Sequence, residues 1–463
     1  MMPHSVLNPF DKSTQVNPSE SLAQPLDQTL AQKLIAQAAK IQFASVGEIV
    51  ICDVDLAMFH DSSGPRRLKP MLESLGAHIW NKDRVVLVMD HFVPEADDDA
   101  RKIVRIAREW AHEQQLPNVY DSQGICHVVV PQHGHILPGM LCVGGDSHSP
   151  TGGAFGAYMF GIGSTEMLGV MVTGQIWLKV PETIRMHWQG ALASGVCAKD
   201  MMLAMIGRFG MNGGRYQAIE YTGSTIAGLG MAERMTLSNM SAELGSQVGL
   251  IAPDTTTLNW LQDRLKQRAA KNPKDTLVQA SIEQLAQVDL AHWQTDAQAL
   301  YTQHTFDATT LAPMVAAPHS PANSQAVTEY GRTPIDIAYI GACTGAKLED
   351  LVAAASILKG HHVPRHVKLM VAPASVSDMQ KAKDLGVADI LQNAGAEFLP
   401  SACGACAGYG HTIPGDARVI STTARNFKGR MGSPDSQVYL ASPFTVAASA
   451  LTGFISDPRE VMA

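Results

Sequence analysis

The stretch IAYIGACTGAKLEDLVAAASILKGHHVPRHVKLMVAPASVSDMQKAKDL, Ile337 to Leu385, carries the clearest architectural signal in the chain. The apolar run Ile337 to Gly341 predicts a strand, and the spacing from Leu348 to Lys359 predicts a helix. A second strand is predicted over Val367 to Val371 and a second helix over Val376 to Leu385. This βαβα alternation implies a parallel sheet with helices on its faces.

Upstream, the composition shifts between about residues 263 and 335. The shift begins with the charged run DRLKQRAAKNPKD and ends with APMVAAPHSPANSQ. It reads as a peripheral segment followed by an inter-domain linker over 316–335. Farther upstream, Gly47 to Leu56, Arg84 to Met89 and Met140 to Val143 read as strands, and Ile103 to Glu113 as a helix. Thr29 is placed to cap a helix carrying Leu30, Leu34, Ile35 and Ala38. Residues 1–27, polar with several prolines, read as a flexible tail. The division expected is therefore two interleaved α/β domains over 28–315 and a third over 336–463.

The chain has 463 residues, enough for about three domains. Its 46% hydrophobic content supports large cores and excludes a disordered chain, and 17% charged residues excludes a coiled coil. With a formal charge of -8 and no Lys/Arg run longer than two, a nucleic-acid or anionic-membrane partner is not expected. A small anionic substrate needs only a few placed arginines. The start MMPHSVLNPFDKSTQ has no signal-peptide pattern. The apolar stretch Gly152 to Gly174 is broken by glycines and Glu166, so it is not read as a membrane span. Seven cysteines, an odd number at low density, do not suggest a disulfide scaffold. A cytoplasmic location is expected.

Three cysteines stand apart. Cys403 and Cys406 form a CxxC in SACGACAGYG, and Cys343 lies in YIGACTGAKLED, each among glycines and small residues. A lone CxxC fits a redox pair, half a zinc site with His411 as a further ligand, or ordinary structural cysteines. Three thiolates without an obvious fourth ligand also fit a [4Fe–4S] cluster with one open iron. Cys52, Cys126, Cys142 and Cys197 read as small buried hydrophobes.

Ionisable residues interrupt apolar runs at three places: Asp90–His91 ending VVLVMDH, His127 in GICHVVV, and Asp146, Ser147 and His148 after Gly144–Gly145. All three read as strand ends, where α/β folds build sites and where an Asp beside a His sets its tautomer and pKa. Glu243 in NMSAELGS taken alone reads as an ordinary helix residue. Arg425 and Arg430 in STTARNFKGRMGSP are candidate carboxylate forks.

Taken together, QTLAQKLIAQAA, MDH, GICHVVVPQHGHILPGMLCVGGDSHSPTGGAFGA, NMSAELG, GACTGAKLEDL, SACGACAG and ARNFKGRMGS resemble the large subunit of the aconitase/3-isopropylmalate dehydratase superfamily. The resemblance covers roughly residues 28–460. It implies three α/β domains with mainly parallel sheets around a central cluster site, in which Cys343, Cys403 and Cys406 hold a [4Fe–4S] cluster. It further implies that Asp90, His91, His127, Asp146, His148 and Glu243 line the catalytic site. Ser147 and Asn239 would lie near substrate or cluster, and Arg425 and Arg430 would grip a carboxylate.

Three positions depart from the family pattern: Ala342 and Gly345 replace Ser and Asn around the first cysteine, and Ala424 replaces an Asn. These changes bear on cluster stability and substrate orientation. In FHDSSGPRR, Pro65 falls near the place of a citrate-contacting Gln, which argues against citrate. The activity implied is reversible dehydration of a hydroxy dicarboxylate, with 3-isopropylmalate first and citramalate, dimethylmalate or homocitrate-type substrates as rivals. A separate small swivel-domain subunit is expected to supply the proton-abstracting base and to cover a wide apolar face over the cluster. The rival classes are a regulatory RNA-binding protein and a cluster-bearing redox sensor.

Overall fold

The structure, a computed structural model, describes residues 27–410 and 412–462 together with the backbone of Gln15–Val16. Three mainly parallel sheets dominate it. The first contains β1 (Leu56–His60), β2 (Val85–Met89), β3 (Asn118–Asp121), β4 (Leu141–Gly144) and β5 (Tyr158–Gly161) in the order β3-β2-β1-β4-β5, all parallel. Residues 85–89 are buried throughout, as an almost wholly apolar strand covered on both faces must be.

The second sheet contains β6 (Thr183–Gln189), β7 (Ala218–Thr222), β8 (Val248–Leu250) and β9 (Thr302–Asp307), ordered β9-β6-β7-β8 and parallel. Gln15–Val16 pairs antiparallel with the edge strand β9. Those two residues of the expected tail are therefore held in a sheet; apart from them and Asp27, residues 1–27 lie outside the described residues.

The third sheet contains β10 (Met314–Ala316), β11 (Ser324–Ala326), β12 (Ile337–Ile340), β13 (Lys368–Val371), β14 (Ala396–Phe398), β15 (Arg418–Ser421) and β16 (Gln437–Ala441). Its order is β11-β10-β16-β15-β12-β13-β14. Five of its strands are parallel, and β10 and β11 add an antiparallel edge. The 316–335 stretch expected as a linker thus supplies strand β11 and the end of β10. Its prolines flank these short edge strands, where missing N–H donors are tolerated. Nor is the segment before it wholly peripheral. Helices at Thr255–Lys271 and Thr276–Ala286 turn their charges outward and bury Leu261, Leu265 and Val278.

Six helices position the site: α1 (Leu30–Ala39), α2 (Cys126–Gln132), α3 (Ala198–Phe209), α4 (Met231–Met240), α5 (Leu348–Leu358) and α6 (Val376–Asp384). In α1, Thr29 accepts from the Gln32 amide while the Gln32 side chain reaches back to the Thr29 amide, a complete capping box. The first and third sheets share one core: Met58, Val86 and Val88 join Ile340, Leu369 and Val371 in a continuous buried cluster that includes Val128 and Val130 of α2. The approach is close. Ile125 N donates to Ala374 O at 2.9 Å, and a Cβ on Gly124 would lie 2.5 Å from that same oxygen.

Two sheets change winding direction at their centres. The order reverses between β1 and β4 in the first and between β12 and β15 in the third. A crevice forms at the carboxyl ends of strands at such a reversal. Among the described residues, no helix is long and apolar enough to cross a membrane.

Candidate active site

The carboxyl ends of these strands open onto one cavity of about 430 Å³. β1 ends at His60 and the loop after it brings Ser63, His91 lies just past the end of β2, and the loop after β4 brings Asp146, Ser147 and His148. From the third sheet, Cys343 follows β12, Cys403 and Cys406 follow β14, and Arg425 and Arg430 follow β15. His127 also lines the cavity. It does not end a strand, as its β-branched neighbours suggested, but sits in the first turn of α2. Burial of Val128, Val129 and Val130 on all sides, with the Cys126 amide donating to Asp90 Oδ2 at 2.7 Å, overrides the strand preference of the valines.

Three of the expected site residues stand behind the wall. Asp90 is fully buried and accepts from His91 Nδ1 at 2.7 Å. Burial alone would lower the His91 pKa, but the Asp90 carboxylate outweighs it and holds it at about 9. Glu243 is also fully buried, in the turn after α4 rather than within that helix. It meets His148 Nε2 at 3.0 Å and accepts from Arg425 Nε at 2.6 Å. Burial would raise its pKa; the Arg425 and His148 charges bring it below the ordinary value. Asn239, in α4, donates to Cys343 Sγ at 3.2 Å and to Thr151 Oγ1 at 2.7 Å.

Asp146 is the hub of the imidazole wall. His127 Nε2 lies 2.7 Å from its Oδ1, and His60 Nε2 and His91 Nε2 approach its Oδ2 at 3.5 and 3.8 Å. Burial works to raise its pKa, yet the histidines hold it well below the carboxylate range. The His127 pKa is lowered, chiefly by burial.

Sequence reasoning missed His60 and Asp61. The His60 ring stacks on His91, centroids 3.8 Å apart and 9° from parallel, and Asp61 accepts from the amides of His91 and Phe92. The signal was present: FHD at the end of an apolar run has the same form as MDH. Placing the strand at 47–56 hid it, because the chain turns at Asp55 and β1 starts at Leu56. Ligand-capable atoms of His60, Asp61, Asp90 and His91 lie within 4.8 Å of one another, as do those of His127, Asp146 and His148. Most of these atoms already pair with each other, so the arrangement orders and stores protons.

All three candidate thiols are free and line the cavity; among the described residues no other cysteine does. Cys52 and Cys142 are buried elsewhere, and Cys126 is buried behind the wall. Burial pushes the Cys343 thiol up to about 12, whereas a hydrogen bond from Cys403 brings Cys406 below the ordinary thiol value. His411, the candidate zinc ligand, lies outside the described residues. The departures around Cys343 form a consistent set. A Cβ on Gly345 would lie 2.2 Å from Thr422 Cβ, and Thr422 Oγ1 bonds both the N–H and the carbonyl of Gly341 at 2.8 Å. Ala342 is buried with φ 69.

Comparison with known proteins agrees with this architecture. The aconitase family (aconitate hydratase) matches residues 32–334 and 325–453. The 3-isopropylmalate dehydratase large subunit 1 of Methanopyrus kandleri is 39% identical over 94% of this chain and 99% of its own length. The 3-isopropylmalate dehydratase large subunit of Desulfatibacillum aliphaticivorans is 37% identical over the same shares. A probable methanogen homoaconitase large subunit of Methanosarcina mazei is 40% identical over 89% of this chain and all of its own. This chain belongs to the aconitase family, and its chemistry is that of a hydro-lyase.

Proposed function

We propose that this chain is the large subunit of a [4Fe–4S] hydro-lyase that reversibly dehydrates a hydroxy dicarboxylate, with 3-isopropylmalate the first candidate. The observation that carries the reading is one cavity walled by three free thiols, a carboxylate–imidazole network and three arginines, Arg67, Arg425 and Arg430. The donor set suits the cluster: three soft ligands converge, with no fourth cysteine to close the last iron. Arg430 Nε, a buried donor left without a partner at the same place, suits a bound anionic group.

Bound there, the cluster supplies a Lewis-acidic iron with an open position. The protein's own groups do the rest. Arg425 and Arg430 present guanidinium forks to a substrate carboxylate. Asp90 fixes Nδ1–H of His91, which keeps the ring protonated at neutral pH and able to donate from Nε2 to a departing hydroxyl. His148, its pKa raised against burial by Glu243, is held between Glu243 at Nε2 and Asp146 at Nδ1 and orders the wall beside the arginines. The burial of Asp90 and Glu243 makes them positioning groups. We assign the base at the adjacent carbon to a small subunit, a reading supported by the relatives' names as large subunits.

Homocitrate-type substrates are the second reading, favoured by the likeness to the homoaconitase relative. Citramalate and dimethylmalate remain in the panel. The test is anaerobic reconstitution with iron and sulfide, then assay of these hydroxy acids with the co-expressed small subunit. Turnover of an alkyl-branched malate is expected. A cluster-loaded pair that dehydrates none of the panel overturns the reading.

A further inference from the structure

Lys199, the second residue of α3, is 1% exposed. Its Nζ donates to Thr422 O at 2.7 Å, to Thr423 O at 2.9 Å and to Thr344 Oγ1 at 3.2 Å. The first two acceptors lie in the loop from β15 to Arg425, and the third adjoins Cys343 in the loop after β12. One ammonium from the second sheet's helix therefore ties together the two loops that meet at the third sheet's reversal point.

Among the described residues, Lys199 has no ion pair. Asp200 beside it gives its oxygens to the amides of Cys197 at 2.9 Å and Met314 at 2.8 Å. The contrast is Lys347, which is also buried and bonds Cys343 O at 3.0 Å, yet has Asp350 at 2.9 Å. A buried ammonium without a counter-charge is strongly disfavoured unless an anion nearby offsets it. Burial lowers the Lys199 pKa, and the groups that work against it are Cys197, Asp350, already paired with Lys347, and Cys343; of these, Cys343 lines the cavity.

We infer that Lys199 is the buried counter-charge of the three-cysteine centre and the positioning residue that holds Cys343 and Arg425 in register. The inference rests on the cluster reading above. A [4Fe–4S] core on three thiolates is a monoanion that becomes a dianion on one-electron reduction, so a fixed cation beside it favours the reduced state.

The full chain, reconstituted anaerobically as wild type, Lys199→Met and Lys199→Arg, is titrated with dithionite under spin-resonance detection. Thermal midpoints are measured with and without cluster. Lys199→Met should shift the midpoint potential downward and shrink the thermal gain on loading, while Lys199→Arg stays near wild type in potential. If Lys199→Met does not fold, Lys199→Gln, which keeps a hydrogen-bond donor, should show the same downward shift. An unchanged potential in the neutral variant, or equal thermal losses with and without cluster, overturns the inference alone. A wild-type chain that takes up no cluster overturns it together with the cluster reading.

Discussion

The two walls of the cavity are built on different principles. The carboxylates of the first-sheet wall are paired within the chain: Asp90 with His91, Asp146 with His127, and Asp61 with the His91 and Phe92 amides, while His60 Nε2 and Ser63 Oγ beside them are left without partners. Asp90 and Asp146 act on the pKa values of His91 and His127 without any ligand. The third-sheet wall is unfinished. It presents three free thiols, and Arg430 Nε is buried without a partner. One wall is preorganised to handle protons; the other is arranged to receive ligands, which complete its polar pairing.

The strongest test acts on the unfinished wall. Cys403→Ser, Cys343→Ser or Cys406→Ser in the reconstituted protein should abolish the visible cluster absorption and with it all turnover. Retained absorption in Cys403→Ser would break the assignment of that wall to a cluster.

Next come the arginines. Arg430→Lys keeps the charge but loses the fork, and about 1.5–3 kcal/mol of transition-state binding should be lost, read as kcat/KM. Arg425→Lys should lose a similar amount and also lower the thermal midpoint, because Arg425 Nε bonds the buried Glu243. Unchanged kcat/KM in both variants would make the arginines structural.

The preorganised wall should show itself as pH dependence of stability. His91 is held at about 9 against an ordinary 6.5, with Asp90, Asp146 and Asp61 facing it and His60 stacked on it. The folded chain therefore keeps a proton that the unfolded chain has released. This stabilisation is complete below pH 6.5 and fades as the pH rises through about 9. Thermal midpoints should fall across that window in wild type and flatten in Asp90→Asn. Parallel curves would mean that the pair does not hold the proton.

The smallest effect belongs outside both walls. Cys52→Ser, in the antiparallel ribbon of Ile49–Asp53 and Gln175–Lys179, buries a hydroxyl and should cost about 1–3 kcal/mol of stability. Cluster absorption should not change.

Legibility in the sequence followed the same division. Cys343, Cys403 and Cys406 could be singled out because glycine-flanked thiols at strand ends need no partner in the chain to be noticed. The carboxylate–histidine wall was half legible. MDH and GGDSH ended recognisable strands, but His127 looked like a strand residue, and His60 was lost to a misplaced strand start. Glu243 read alone as an ordinary helix residue because nothing local marks a carboxylate whose partners, His148 and Arg425, are far off in sequence.

By itself the sequence determined the element types of the third sheet, the motif set of the family and the three thiols, since apolar periodicity, glycine placement and short spacing are local properties. Tertiary structure alone decided that 314–326 forms the third sheet's edge and that GICHVVVPQ winds into a helix. It also decided which side chains face the cavity and which, like Asp90, Glu243 and Lys199, stand buried behind it. The reason is physical: burial, and the partner that makes a buried charge tolerable, come from segments distant in the chain, and only packing brings them together.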